Sequence, residues 1–123
     1  MKKMRLVAGI LVSIIFASCD KDNQIRNLLD SKNPYEVIKG CSEAAETGNK
    51  AYIPLMLRNC GDERRTTDLR FKGYTVYQEK MYVLQELLKA RAPDSITYKK
   101  DSINIKFFIK CWESYQKKNI SLR

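Results

Sequence analysis

Four cysteines, at positions 19, 41, 60 and 111, are the side chains of this chain best suited to covalent or metal chemistry. Their surroundings in the sequence limit what they can do. There is no histidine, which removes the usual general base, the commonest metal ligand and every Ser-His or Cys-His nucleophile arrangement. Cys41, Cys60 and Cys111 lie 19 and 51 residues apart with no C-x-x-C, so zinc spacing is missing. The five glycines are scattered and form no phosphate-cradling loop. Glu43 and Glu46 share a helix face and have the types of an acid–base pair, but a solvated face is the plainer account of them. The expectation is a non-catalytic protein with no cofactor and no metal.

Recognition is the chemistry that remains. Arg58, Arg64, Arg65, Arg70 and Lys72 crowd one stretch, with Phe71 and Tyr74 interleaved. Arginine and tyrosine are favoured interface anchors, and guanidinium forks suit carboxylates, so this stretch is a candidate binding site for an acidic protein. A solvated loop and helix start with ordinary core aromatics is the competing account. Lys99, Lys100, Lys106, Lys110, Lys117 and Lys118 form a second basic set. It suits anionic head groups, or serves simply as a solubilising face.

Ahead of these residues stands a different signal. Met1-Lys2-Lys3-Met4-Arg5 precedes an apolar run from Leu6 to Phe16, followed by Ala17-Ser18-Cys19-Asp20. The run falls short of the roughly 20 apolar residues that span a bilayer; a cationic start, short apolar core and small residues describe a secretory leader. Phe16-Ala17-Ser18-Cys19 resembles the lipobox of a bacterial lipoprotein signal peptide. The resemblance implies cleavage after Ser18, leaving 1–18 as leader, with diacylglycerol on the Cys19 thiol and a palmitate-type acyl chain on the new amine. Several buried chains make a stable anchor, at about 0.8 kcal/mol per methylene. Asp20-Lys21-Asp22-Asn23 is similar to the export signal of surface lipoproteins in some diderm bacteria, whereas Asp directly after the cysteine marks inner-membrane retention in others. A polar, flexible tether is the alternative account of that tetrapeptide; residues 19–32 as a whole read as a lipidated tether, within which Ile25-Arg26-Asn27-Leu28-Leu29 suits a helical turn packed on the domain edge. The implied address is the bacterial envelope, as an outer-membrane lipoprotein open to surface export.

Loss of Lys2, Lys3 and Arg5 with the leader takes 23 basic residues to 20 against 14 acidic ones, so the net charge falls from +9 to +6. That excess favours acidic surfaces. The address argues against nucleic acid and for head groups or acidic proteins. Outside the cytosol a disulfide is permitted. Three remaining thiols leave one unpaired, and the spacing does not choose among them. Small buried apolar roles suit all three.

The elements that must position these groups read as all-α, a compact bundle of about four helices over 33–118, with a frayed tail over 119–123. Asn33 caps a first helix with Pro34 at its first position and Glu36 placed for a capping box. Val37, Ile38, Cys41, Ala44 and Ala45 follow at helical spacing, and Gly48 ends it. A second helix runs from Asn49 to Cys60, with Pro54 in its first turn and Gly61 closing it. The short turn makes these two antiparallel neighbours, which leaves a Cys41–Cys60 bridge doubtful. A third and longest helix is capped by Thr67 or Asp68 and carries the stripe Tyr74, Tyr77, Met81, Leu84, Leu88. Ile96–Tyr98 reads as a short extended piece. A last helix starts at Asp101 or Ser102 and ends near Lys118, although Ile103-Asn104-Ile105-Lys106-Phe107 alternates as a hairpin strand would. Tyr77, Met81, Leu84, Leu88, Leu57 and Trp112 are the expected core.

Within this frame Ala44-Ala45, Thr47-Gly48-Asn49, Ala51-Tyr52-Ile53-Pro54-Leu55-Met56-Leu57, Asp62 and Leu69-Arg70 resemble HEAT-like helical repeats over Tyr35–Leu88. The resemblance implies antiparallel helical hairpins packed side by side, serving as a protein-binding scaffold. Glu63 to Asp68 lengthens the inter-repeat loop, Tyr74 and Tyr77 replace small residues, and there is room for only about two repeats where solenoids need three or more. The expected function is a membrane-anchored, non-catalytic scaffold or adaptor in the envelope. The alternative is a lipid-anchored immunity or inhibitor protein that blocks a toxin or enzyme, and an envelope enzyme is the third class.

Overall fold

The computed structural model describes residues 20–67, 70 and 73–121. Residues 1–18, expected as a leader, and Cys19 lie outside them, as do Asp68, Leu69, Phe71 and Lys72. Among the described residues the fold is all-α, with five helices packed into one bundle and no strand beyond an isolated bridge between Arg65 and Thr75.

The segment expected to be a tether is helical. α1 covers 20–29 and buries Ile25 and Leu29 in the core. It packs across Gly40, where a Cβ would sit 2.9 Å from the Leu28 Cβ and 3.0 Å from the Leu29 nitrogen. Those neighbours are backbone or next to it and cannot swing aside, so only glycine allows this approach. At its other end Asp22 accepts from Arg26 at 3.0 Å and from the Tyr52 hydroxyl at 2.6 Å. The Tyr52 bond, then the Arg26 bond, hold the Asp22 carboxyl below its usual range. Gly40→Val should therefore force α1 off the bundle. The expected loss is about 1–3 kcal/mol, and hydrogen exchange should show 22–29 deprotected ahead of every other helix. Uniform deprotection would contradict this packing.

α2 (Pro34–Thr47) is built as expected at both ends. The Asn33 side chain accepts from the Tyr35 N–H at 2.9 Å, and Gly48 takes a left-handed φ of 68° while donating to the Ala44 and Ala45 carbonyls. Glu36 does not close a capping box; it accepts from the Ser31 hydroxyl, which in turn accepts from the Asn33 N–H. After Gly48 the chain reverses through a tight 3-10 turn, Lys50–Tyr52, into a short α3 (Ile53–Leu57) with Pro54 in its first turn. α3 stops before the expected Cys60. Arg58 is already extended and Asn59 is left-handed at φ 49°.

α4 (Val76–Leu88) starts later than its stripe suggests. Gly73 is left-handed at φ 69°, which breaks the helix before Tyr74. Thr75 and Gln78 form the true start, a reciprocal capping box with bonds of 2.9 and 3.1 Å. Loop carbonyls satisfy the next two orphan donors: Val76 N–H bonds Arg64 O at 2.9 Å and Tyr77 N–H bonds Asp62 O at 2.7 Å. Tyr77, Met81 and Leu84 are core, while Leu88, Leu57 and Trp112 are only partly buried.

α5 (Ser102–Ser121) is the longest helix, reaches through most of the expected tail, and excludes the hairpin. The alternating pattern is inverted in space: Ile103 is 57% exposed, whereas Asn104 is fully buried. Asn104 donates to the Tyr77 hydroxyl at 3.2 Å and accepts from the Asp94 N–H at 3.0 Å. Buried polar groups must be paired, and this pairing ties the return segment 89–101 to both helices. Ile96–Tyr98 is irregular.

Chain directions follow from these contacts. α1 and α3 run one way and α2, α4 and α5 the other. One end holds the start of α1, the Thr47–Asn49 turn and the far half of α5, where the Lys50 ammonium sits 5.6 Å from the Tyr115 ring centre. The other end gathers 30–36, 58–66, the start of α4 and the start of α5.

Candidate partner-binding surface

Four of the five residues expected to bind a partner lie together at that second end. Lys72 is outside the described residues. Arg58 and Arg64 line a cavity of about 250 Å³ together with Asp30, Asp62 and Lys80. The Arg64 fork is engaged inside the molecule. It grips Asp62 at 3.0 and 2.7 Å and donates to the Lys32 carbonyl. Burial pushes the Asp62 carboxyl up, but the hydrogen bonds from Arg64 outweigh it and the net direction is down. Arg58 meets Asp30 at 3.4 Å with both side chains exposed, a contact of little energetic worth.

Arg65 and Arg70 are presented differently. The Arg65 guanidinium lies 4.8 Å from the centre of the exposed Tyr98 ring. Arg70 donates to the Tyr35 hydroxyl at 2.6 Å and lies 5.6 Å from that ring's centre. Stacking on a tyrosine face holds a guanidinium in place without neutralising it, so the Arg65–Tyr98 pair offers a preoriented fork beside an aromatic plate, whereas Arg70 is tied into the protein through Tyr35.

Lys80 is the residue that pattern reading missed. It is 4% exposed and donates to the Arg58 carbonyl at 2.8 Å, closing the carbonyl end of α3. Burial pulls its ammonium below the usual range, against opposing effects of Cys41, Cys60 and Asp62. Its position three residues after Tyr77, inside the apolar stripe, was the available signal. Cys41 and Cys60 are free and buried, and Cys111 is half-buried. Burial pushes all three thiols up, as suits packing groups more than nucleophiles.

Comparison with family models, with curated proteins and with solved structures gives no match.

Other chemistry is limited at the remaining places. Glu46 does not pair with Glu43 in a shared cleft; it lines an open groove with Glu79, Glu86, Tyr74 and Tyr82. Burial, then Glu86, raises the Glu79 carboxyl. Asp94 and Asp101 form a carboxyl pair at the start of α5. Hydrogen bonding between them raises Asp94 and lowers Asp101; Asp94 is exposed and Asp101 half-buried. Among the described residues no three His, Cys, Asp or Glu side chains converge as a metal site, and no helix is long and apolar enough to cross a membrane. The lysine set is split. Lys100 packs on Gly61 at the arginine end, while Lys117 and Lys118 lie beyond Tyr115 at the other.

Proposed function

We propose that this chain is a lipid-anchored, non-catalytic protein of the bacterial envelope that binds an acidic protein partner through its arginine–tyrosine end. Acylation at Cys19 and an outer-membrane address follow from the leader motif. The α2–α3 hairpin, with α4 running beside α2 in the same sense, suits a reduced HEAT-like scaffold. One observation carries the reading: the start of α1 and the Arg65–Tyr98 and Arg70–Tyr35 pairs occupy opposite ends of the bundle. An anchor before α1 thus leaves this end facing away from the membrane, with the Arg65 guanidinium presented to a carboxylate-rich partner.

Crosslinking in the native envelope, followed by identification of the attached protein, supplies the partner. The purified pair is then titrated. Arg65→Glu/Arg70→Glu should weaken binding about tenfold or more, with little change in melting temperature because both side chains are exposed. An unchanged affinity would remove this end from the interface. A partner enzyme or toxin that loses activity on binding would assign the inhibitor role in place of the scaffold role.

A further inference from the structure

We infer that the start of α1 and the C-terminal end of α5 together form a seat on an anionic phospholipid surface, with α5 standing on the bilayer by its end. The inference rests on the acylation of Cys19 proposed above and goes beyond it by orienting the domain.

Cys19 precedes Asp20 by one peptide, so their α-carbons are about 3.8 Å apart. α1 is helical from residue 20, and Ile25 and Leu29 fasten it in the core. No slack separates anchor and domain, and whatever neighbours the start of α1 is held at the head groups.

Thr47 and Asn49 share a hollow of about 530 Å³ with Lys21, Asp22 and Tyr52. Lys50, one residue past that turn, reaches the Tyr115 ring. From Tyr115, α5 continues for six residues to Ser121, about 9 Å at 1.5 Å per residue, in the direction that leaves the arginine end behind. This projection carries Lys117, Lys118 and Ile120, the last 73% exposed. Trp112 and Tyr115 stack behind it, with ring centres 5.5 Å apart.

Lysines near an anionic leaflet each shift a docked-to-undocked ratio about fivefold, aromatic rings favour the head-group level, and an exposed isoleucine gains by entering it. Lys21, Lys50 and Lys117 outnumber Asp20 and Glu46 there; Lys110 and Glu113 offset each other one turn back, Lys118 is engaged within the protein and is left out of the balance, and Asp22 is held by Arg26 and Tyr52. Lys99, Lys100 and Lys106 belong to the far half and take no part, so the lysine face does not lie flat on the membrane.

Fluorescence tests this, since Trp112 is the single tryptophan. In a Trp112→Phe background, Ile120→Trp and Tyr98→Trp place one indole at either end. The mature, acylated proteins are reconstituted in vesicles of phosphatidylglycerol and phosphatidylcholine carrying a head-group nitroxide lipid. Emission from position 120 should fall about twofold or more while that from position 98 is unchanged, and Lys21→Glu/Lys117→Glu should restore position 120. Equal quenching at both ends, or none at 120 in protein whose intact mass shows the acyl chains, overturns the seat alone. A mass without acyl chains overturns the anchor, and the seat with it.

Discussion

Between pH 9.0 and about 12 the wild-type protein should lose about 4 kcal/mol of stability through one thiol, and Cys41→Ala should abolish that share. Cys41 lies on the inner face of α2 against α4, with no exposed surface. Burial pushes its thiol from 9.0 up to about 12, with Lys80 acting downward and Glu79 upward. The folded-state value is raised, so the contribution is complete below 9.0 and is lost as pH climbs toward the folded value. In that window the unfolded chain has released a proton that the folded chain keeps, and stability falls by about 1.4 kcal/mol per pH unit. Cys60 and Cys111, raised by burial, and Tyr52, raised by burial and its bond to Asp22, act in the same direction. Lys80, lowered by burial, acts in the opposite one. The quantity to measure is therefore the difference between wild type and Cys41→Ala in urea midpoints across this range, with reductant present. At neutral pH the variant should be less stable by about 1 kcal/mol, for a small lost side chain. Parallel pH curves for the two proteins would show that Cys41 is not sealed from water.

The contrast between what was legible and what was not runs along a physical line. Caps and turns were readable because they are local: Asn33, Pro34 and Gly48 act on neighbours one to four residues away, and α2 has the ends they specify. The capping box that starts α4 was equally local, yet periodicity through Tyr74 masked it; Gly73 and Thr75 were the better guides. Of α1 only a turn at Ile25 to Leu29 was legible, because two apolar residues make a weak pattern. Its place in the fold depends on Gly40, a missing side chain on another helix. Asn104 and Ile103 inverted their expected sides because a hydrogen bond to Tyr77 and one from Asp94 favour burying the amide, and neither partner is near in sequence. At the candidate surface the arginines were visible as a cluster. That Asp62 would hold the Arg64 fork, and that Tyr98 and Tyr35 would lie beside Arg65 and Arg70, depended on loop geometry that charge counting does not contain.

Phe108→Ala should be the most damaging single truncation in α5, at about 3–5 kcal/mol, and should lower the melting temperature by roughly 15 °C. Phe108 is fully buried and meets Phe107 edge-on at 5.2 Å. Among the described side chains of this helix Asn104 is the only other buried one, and Ile105, Phe107 and Trp112 are partly buried. A 20-residue helix is thus docked largely by one ring and one amide. Ile109→Ala, one position on and 36% exposed, should cost less than about 1 kcal/mol and serves as the control. Equal losses for the two variants would show that α5 is not held by Phe108. The consequence reaches beyond stability, because α5 is the strut between the two ends. Its start joins Tyr77 and the return segment that presents Tyr98 to Arg65, and its finish carries Lys117, Lys118 and Ile120. Undocking it should release Lys117 and Lys118 from alignment with the start of α1 while leaving Arg70 on Tyr35. In Phe108→Ala the nitroxide quenching at position 120 should therefore be lost, with partner affinity reduced only by the share that Arg65 and Tyr98 contribute.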